Sequence, residues 1–399
     1  MPLTLLLDLD DTLLDSNIAA FAPAYLKKLS ESLASWVKPD ELVNKLLAST
    51  DAMSKNERPD LTLEDVFNQN FYPALNMAGH TQFQSAIEHF YEQSFPSLQE
   101  FCSPRPAVVE LIEYAFGQGW RVVIAANPVQ ARTAAEQRLR WAQLPPEKYP
   151  FNLITSMENS HFSKAVPAYY AEILGALGWP DDPVLMVGDD PVLDMDSASK
   201  AGLPVYWIRP EGKSLPELGN IPQGTITDFW GWIRAVDPDQ FQVDFKKPQA
   251  LIYAFQSAPA VLDTLLRRLD PSEWATRPGQ NEWALVEIVC HLRDMDAEVN
   301  LPRLDALTSE QNALIAGQDT DRWADERHYI AQDGPAAFRE FIAARTKLLE
   351  KLNNLSPADW QRRARHTIFG PTDLQELVGF MAEHDQTHIR QAMMLLAAI

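Results

Sequence analysis

Acidic residues follow two apolar, strand-length segments in the first half of the 399-residue chain: directly after Leu3–Leu7, and one glycine after Val184–Val187. The carboxylates that could meet are those of Asp8, Asp10, Asp189 and Asp194. The carboxyl ends of parallel strands lie at one edge of a sheet, where open α/β sheets bind their ligands. Either cluster alone is also typical of a solvated loop. Together they predict a site at which a metal ion offsets the repulsion between the carboxylates.

A lysine is a candidate member of the same site. Lys164 follows the apolar segment Phe151–Ser156, so it lies near the same predicted sheet edge. A lysine in a loop is ordinarily solvated, but beside four acids its ammonium group would offset part of their charge. We therefore place Lys164 in the predicted site.

Three histidines in the second half occupy apolar helix faces. His384 and His388 are four residues apart and therefore lie one turn apart on one face, and His291 lies on a similar apolar face of another helix. Each alone is typical of a core histidine, but three inward imidazoles on two helices predict a metal site. Three neutral imidazoles leave a coordination position open and suit Zn²⁺ or Ni²⁺, and equally Fe²⁺ or Mn²⁺.

Short apolar segments alternate with helical ones in the first half, and this pattern predicts a doubly wound, parallel, Rossmann-like α/β sheet. The predicted strands are Leu3–Leu7, Arg121–Ala125, Phe151–Ser156, Val184–Val187 and Val205–Ile208. Between Asp15 and about Ser103 the chain has a wholly helical pattern, which we interpret as an inserted helical cap. The predicted first domain spans residues 1–236, with a core of 1–15 and 104–236 and a cap of 16–103.

From Gln249 onward the strand patterns stop, and four amphipathic helices predict an all-α four-helix bundle over residues 249–399. The predicted helices are Ala250–Leu269, Trp283–Leu301, Gly334–Leu355 and Thr372–Ala398. Pro302 is expected to end or kink the second helix. Trp283 is expected to be ordinary bundle packing.

The acidic motifs of the first half resemble those of the haloacid dehalogenase (HAD) superfamily. The segment Asp8-Leu9-Asp10-Asp11-Thr12 is similar to its first motif, DxDxT. Lys164 occupies the position of the third motif, and Gly188-Asp189 with Asp194 that of the fourth. The resemblance covers about residues 3–235, and the helical insertion is similar to the cap of the phosphatase- and dehalogenase-like subclass.

The resemblance implies a role for each of these residues. Asp8 would be the nucleophile that forms an aspartyl intermediate, and Asp10 would protonate the leaving oxygen and then activate water. Mg²⁺ would be held by Asp8, Asp189 and the backbone carbonyl of Asp10. Lys164 would offset the charge of the nucleophile and the phosphoryl group. Asp194 would hold Lys164 or a metal-bound water.

The second motif departs from the superfamily pattern. The resemblance places Thr12, Ala126 and Asn127 at the substrate, and a Thr or Ser is expected where Ala126 stands. Loss of that hydroxyl would cost about 1 kcal/mol, or more if the contact belongs to the transition state. Asn127 is the candidate replacement donor.

The second half resembles the DinB-like family of four-helix-bundle metalloproteins. The similar segments are Glu282–Leu292, which contains His291, and His384-Asp385-Gln386-Thr387-His388. The match covers about residues 249–399. The family includes thiol-dependent transferases and isomerases, so the resemblance implies a divalent transition metal more firmly than it implies a reaction.

Composition limits the classes of partner. The formal net charge of −21 disfavours binding to nucleic acid and to anionic lipid, both of which require clustered Lys and Arg. Only two cysteines, Cys102 and Cys290, are present, so a disulfide framework is not expected. The first residues lack a basic segment ahead of an apolar core, and we expect a cytoplasmic protein. The expected partner is a small phosphorylated molecule.

These observations favour a Mg²⁺-dependent phosphomonoesterase joined to a metal-binding bundle. Hydrolytic dehalogenation is a competing reaction, but dehalogenases of this superfamily typically lack the second acid, here Asp10. A different class is a non-catalytic or sensor HAD domain, which Ala126 keeps open. In that case the bundle would be a thiol transferase or isomerase, or a binding module.

Overall fold

The computed structural model describes residues 2–209, 219–279, 282–320 and 322–398. The chain divides into two compact units. One comprises Met1–Tyr170 with Asp181–Val243, and the other comprises Ala171–Pro180 with Asp244–Ile399. Within the described ranges, no helix is both long enough and apolar enough to cross a lipid bilayer.

A six-stranded parallel sheet forms the centre of the first unit, in the order β5-β4-β1-β6-β7-β8. The strands of this unit are β1 (Thr4–Leu7), β2 (Leu14–Ser16), β3 (Cys102–Pro104), β4 (Arg121–Ile124), β5 (Leu153–Ile154), β6 (Val184–Gly188), β7 (Val205–Ile208) and β8 (Gln223–Gly224). All four residues of β1 are buried, because the strand has neighbours on both sides and is covered on both faces. The predicted doubly wound α/β class is confirmed. The sequence did not indicate β8, because two polar residues carry no strand pattern.

The helices of the first unit surround this sheet and form the insertion. They are α1 (Ile18–Ser32), α2 (Pro39–Ser54), α3 (Leu63–Ala74), α4 (Thr81–His89), α5 (Val108–Gly117), α6 (Arg132–Trp141), α7 (Ala168–Ala176), α8 (Ser197–Lys200) and α9 (Ile226–Ile233). Short π- and 3₁₀-helical segments, Phe90–Ser94 and Phe95–Phe101, follow α4. From Ala171 onward, α7 belongs to the second unit.

The segment between Asp15 and Ser103 is not wholly helical, so that expectation is wrong at its two ends. There, β2 and β3 pair antiparallel, with Asp15 opposite Ser103. The two strands bring together the points at which the chain enters and leaves the insertion. Their pairing joins residues about ninety positions apart, which a local periodicity cannot reveal.

The second unit contains the predicted helices and one element that was not predicted. Its helices are α10 (Pro248–Leu266), α11 (Leu285–Asp294), α12 (Leu301–Ser309), α13 (Trp323–Glu326), α14 (Gly334–Asn353), α15 (Pro357–Trp360) and α16 (Leu374–Ala398). Four helical runs, α10, α11 with α12, α14 and α16, form the bundle. The expectation that strands stop after Gln249 is wrong. A three-stranded sheet contains β9 (Ala313–Ile315), β10 (Arg363–His366) and β11 (Gly370–Asp373), strands too short for alternation to be recognised.

Pro302 does not end its helix. The run begins with α11, passes through a π-helical segment at Met295–Asn300, and continues in α12 to Ser309. Pro302 stands at the start of α12, directly after the π-helical segment. Proline cannot donate a backbone hydrogen bond, and the wider π turn before it accommodates this loss without ending the helix.

Candidate active site and candidate metal centre

Asp8 lies at the carboxyl end of β1, in the middle of the sheet. Its backbone N–H donates to the carbonyl of Val187 at 2.9 Å, so the chain stays paired with β6 as it leaves the strand. The residue is only 6% exposed. Lys164 Nζ donates to Asp8 Oδ1 at 2.5 Å, which fixes the carboxylate beside a buried cation.

Lys164 also holds a second acid. Its Nζ donates to Asp194 Oδ1 at 2.6 Å, and Asp194 Oδ2 accepts the backbone N–H of Asp190 at 3.0 Å. The Asp194 side chain packs directly over Gly188, where a Cβ atom would collide with it. The glycine of the fourth motif is therefore needed for space. Tyr170 donates its hydroxyl hydrogen to the carbonyl of Leu193 at 2.8 Å and so supports the same turn.

Three carboxylates converge at this point. One oxygen from each of Asp8, Asp189 and Asp194 lies within 4.8 Å of the others. Burial, together with Asp8 and Asp194, raises the pKa of Asp189 to about 8. Burial also raises the pKa of Asp194 to about 6, although Lys164 opposes the shift. Burial disfavours the charged ammonium of Lys164, but Asp194 and Asp8 outweigh it and raise the pKa of Lys164.

The donor set fits a hard divalent cation. One ammonium group contacts two of the three carboxylates, and burial with the neighbouring acids raises the pKa of Asp189, so a further positive charge would favour its ionised form. Carboxylate oxygens are the ligands that Mg²⁺ prefers. Asp8, Asp189 and Asp194 are the side chains that would hold it. Ligation by the Asp10 carbonyl stays a prediction.

Asp10 is close in sequence but has different partners. Its Oδ1 accepts the hydroxyl hydrogen of Ser16 at 2.7 Å, and its carboxylate forms an ion pair with Arg138 of α6. Arg138 is 3% exposed, and burial lowers its pKa to about 10. Arg138 was not predicted, because one arginine among several on a helix has no distinguishing pattern.

The three residues predicted to contact the substrate occupy different settings. Thr12 is fully buried, and among the described residues its hydroxyl has no hydrogen-bond partner. Ala126 is buried, and its carbonyl accepts hydrogen bonds from Thr155 Oγ1 at 2.9 Å and Tyr169 OH at 2.8 Å. Asn127 is exposed, and its Oδ1 accepts the backbone N–H of Lys164 at 3.4 Å. The second-motif loop is thereby tied to the segment that carries the lysine.

The three histidines meet in the second unit. His291, from α11, places its Nε2 3.0 Å from Nε2 of His384, and His388 places its Nε2 3.2 Å from the same atom. His384 and His388 project from consecutive turns of α16, as their spacing predicts. His291 is 2% exposed, whereas His384 is half-buried, so the cluster is accessible from one side.

The donor chemistry of this cluster fits a metal ion. Nδ1 of His388 lies 2.9 Å from Gln391 Oε1, which makes Nδ1 the protonated nitrogen and leaves a lone pair on Nε2. Burial, then His388 and His384, lowers the pKa of His291 to about 3, and burial lowers that of His384 to about 4. Neutral imidazoles with converging Nε2 atoms are suited to a transition metal. Gln391 was missed, although it lies three residues after His388.

Two further contacts surround the cluster. The Trp283 ring stacks on His388 with 3° between planes and a centroid separation of 5.6 Å. The expectation that Trp283 is ordinary packing is therefore incomplete, because the ring forms one wall of the histidine cluster. Beside it, Arg345 lies between two buried acids, 2.6 Å from Asp296 and 2.7 Å from Asp385.

Comparison with known families gives two matches. A model described as haloacid dehalogenase-like hydrolase matches residues 3–202, which is half of the chain. A model described as DinB superfamily matches residues 254–392. Both resemblances inferred from the sequence are thereby confirmed. A comparison with curated proteins gives no match.

Solved structures resemble each part. A 2-haloacid dehalogenase from Pseudomonas syringae is 20% identical, with a TM-score of 0.42 over 59% of this chain and 99% of that one. A HAD phosphatase from Thermococcus onnurineus is 18% identical, with a TM-score of 0.38 over 58% and 98%. YfiT from Bacillus subtilis, a four-helix bundle, is 17% identical, with a TM-score of 0.35 over 39% and 88%.

Proposed function

Because the chain belongs to the haloacid dehalogenase-like hydrolase family, we propose that it is a Mg²⁺-dependent phosphomonoesterase whose nucleophile is Asp8. The observation that carries the proposal is the buried contact of Lys164 with both Asp8 and Asp194, next to Asp189. The ammonium group holds the carboxylate of the nucleophile in one orientation. A bound Mg²⁺ would supply further positive charge for the incoming phosphoryl oxygens.

In the first step an oxygen of Asp8 attacks phosphorus, and the bond from phosphorus to the ester oxygen breaks. Asp10 donates a proton to the leaving oxygen, so that an alcohol departs and an aspartyl phosphate remains. A carboxylate held in an ion pair cannot donate a proton. Before the first turnover Asp10 therefore has to leave its pair with Arg138 and take up a proton from solvent.

In the second step water attacks the phosphorus of the aspartyl phosphate. Asp10, now a carboxylate, accepts a proton from that water, and the bond from phosphorus to Asp8 breaks to release inorganic phosphate. Lys164 stays paired with Asp194 throughout and keeps a positive charge beside the returning carboxylate of Asp8. Asp10 ends protonated and ready for the next cycle.

Asp10 also favours phosphoester hydrolysis over dehalogenation. A departing halide needs no proton, whereas a departing alkoxide does, so a general acid near the nucleophile is required only by the first step of the phosphoester reaction. The cluster of three carboxylates points the same way, because a cation assists transfer of a doubly charged phosphoryl group. Dehalogenation remains the competing reaction in this family.

The test is steady-state hydrolysis of an aryl phosphate with and without Mg²⁺. We expect Mg²⁺-dependent turnover that is lost in Asp8→Asn, because the amide cannot act as the nucleophile. Asp15→Asn is the matched control, since Asp15 lies in the same segment with its side chain 62% exposed. Full activity in Asp8→Asn, or equal loss in both variants, would show that the nucleophile is misassigned.

We propose a second function for the bundle, the binding of one transition metal such as Zn²⁺ or Ni²⁺. The three converging Nε2 atoms support it, and the open side of the cluster fits a thiol transferase or isomerase as well as a binding module. Metal analysis of the full chain should show that His384→Ala/His388→Ala removes the metal, whereas His89→Ala, at an exposed position in α4, does not. Unchanged metal content in the double variant would exclude this site.

If wild type turns over no phosphoester and yet binds the transition metal, the result favours the alternative that Ala126 keeps open: a non-catalytic or sensor HAD domain, with the bundle as a metal-dependent thiol transferase or isomerase or as a binding module. The two experiments therefore separate the two proposed functions. Each is carried by its own group of residues, the carboxylates with Lys164 in one case and the three histidines in the other.

A further inference from the structure

A large cavity lies within the first unit, between the helices of the insertion and α6. Its volume is about 1020 Å³, and it is lined by residues of α1 to α4, by α6 and by the segment that follows β4. A cavity of about 150 Å³ holds a benzene molecule, so this one has room for a bicyclic aromatic group or larger.

The cavity wall reaches the acid site through one side chain. Phe21 and Gln130 both line the cavity, and both contact Arg138. The guanidinium lies 5.5 Å from the centre of the Phe21 ring, and its Nη1 donates to Gln130 Oε1 at 3.0 Å. Arg138 in turn pairs with Asp10. Arg138 therefore lies between Asp10 and the cavity wall, and a group attached to a phosphate at Asp8 would reach the cavity where Arg138 leaves its pair with Asp10.

The charged residues around the cavity are almost all acidic. Five glutamates line it, namely Glu64, Glu88, Glu92, Glu136 and Glu158. Within the described lining the one basic residue is Arg140, and it already pairs with Glu136 and Glu147. A second phosphate or a carboxylate on the substrate would meet net negative charge from the lining residues.

The uncharged lining combines aromatic side chains with leucines and other aliphatic and polar residues. Phe67 and Phe71 stack with centroids 4.7 Å apart, and Tyr72 meets both edge-on. Across the cavity, the hydroxyls of Tyr25 and Tyr91 lie 3.0 Å apart. Burial raises the pKa of both tyrosines, so both hydroxyls are neutral near pH 7. Two hydroxyls that share one hydrogen bond keep one hydrogen for a ligand.

We propose that this cavity binds the organic part of the substrate, and that this part is a flat, apolar, aromatic group without a second anionic substituent. The proposal rests on the proposed hydrolysis at Asp8. It adds that the substrate is a phosphate monoester of an aromatic alcohol. Phe67 with its neighbours and the surrounding glutamates would select this substrate over other phosphate monoesters.

Three phosphate monoesters of primary alcohols test it, because their leaving groups differ little in reactivity. They are 2-(1-naphthyl)ethyl phosphate, ethyl phosphate and the monophosphate of 3-hydroxypropanoate. We expect kcat/KM for the naphthyl ester to exceed that for ethyl phosphate by at least tenfold. The carboxylate ester should be at least tenfold worse than ethyl phosphate. Equal values for the three esters would overturn the proposal.

Variants locate the effect. Phe67→Ala should lower kcat/KM for the naphthyl ester about tenfold and change that for ethyl phosphate less than twofold. Phe116→Ala is the matched control, since Phe116 is a half-buried aromatic residue of the same unit that does not line the cavity. Equal losses for both esters in Phe67→Ala, or equal losses in both variants, would show a general defect and overturn the assignment.

A binding measurement separates this proposal from the hydrolysis on which it rests. Fluorescence titration of the full chain with 2-(1-naphthyl)ethanol, which has no phosphate, should show binding that Phe67→Ala weakens about tenfold. If wild type has no phosphatase activity but binds this alcohol through Phe67, the hydrolysis fails and the aromatic site stands. If wild type hydrolyses esters but does not bind the alcohol, the aromatic site is wrong and the hydrolysis stands.

Discussion

Arg345 is the residue whose replacement should affect the second unit most. It is 1% exposed, and its Nε lies 2.6 Å from Asp296 Oδ2 and its Nη1 2.7 Å from Asp385 Oδ2. Nη1 also donates to the carbonyl of Phe255 at 3.0 Å. In Arg345→Met the methionine retains part of the packing against Phe255 and Phe341. The carboxylates of Asp296 and Asp385, whose side chains are 1% and 6% exposed, lose the one cation that pairs with them in the described part of the chain.

Breaking a buried ion pair by removing one partner typically costs about 3–5 kcal/mol, because an uncompensated charge stays buried. Both acids share one cation here, so we expect Arg345→Met to lower the free energy of unfolding of this unit by about that amount at pH 7.5. Burial already raises the pKa of Asp296 and of Asp385. Without Arg345 the folded form binds protons more readily than the unfolded form, so the loss of stability should shrink as the pH falls from 8 towards 5.

Native-state hydrogen exchange of the full chain in rising urea concentration measures this free energy on peptides of α14, independently of the stability of the other unit. Lys347→Met is the matched control, because Lys347 is an exposed cation on the same helix. Neutralising both acids as well, in Asp296→Asn/Arg345→Met/Asp385→Asn, should recover most of the loss. A single variant within about 1 kcal/mol of wild type, or a triple variant no more stable than the single one, would refute the uncompensated-charge argument.

Three further predictions concern the two sites and the stability of the bundle. Ala126→Thr should raise kcat/KM for a phosphoester about tenfold, or about 1.4 kcal/mol, if the missing hydroxyl weakens the enzyme. A variant no faster than wild type in steady-state kinetics would refute that account and leave either an enzyme in which another group makes the contact or a non-catalytic domain. Because the pKa values of His291 and His384 are lowered to about 3 and about 4, their protons should not compete with a metal above about pH 5. Zn²⁺ affinity, measured by competition with a chromophoric chelator, should fall no more than about 30-fold from pH 7 to pH 5, against about 10⁴-fold for three imidazoles of ordinary pKa. The apo bundle should lose stability as the pH falls from about 6.5 to about 4, because the unfolded form then binds more protons.

The sequence by itself determined the elements that carry the chemistry. The apolar run before Asp8 predicts a strand buried on both faces, and an acid at its carboxyl end has to lie at the ligand edge of a parallel sheet. The four-residue spacing of His384 and His388 places both on one face of a helix. These conclusions depend on local periodicity, which can be read directly from the order of the residues.

The tertiary structure alone decided which side chains face one another. Arg138 pairs with Asp10, and Arg345 lies between Asp296 and Asp385, although no spacing relates these residues in the chain. The pairing of β2 with β3 is of the same kind. A charged residue looks the same in the sequence whether its side chain is solvated or buried. Its partner is determined by how elements that are distant in the sequence pack against each other. Burial then decides whether that pair is a weak surface contact or a costly one to break.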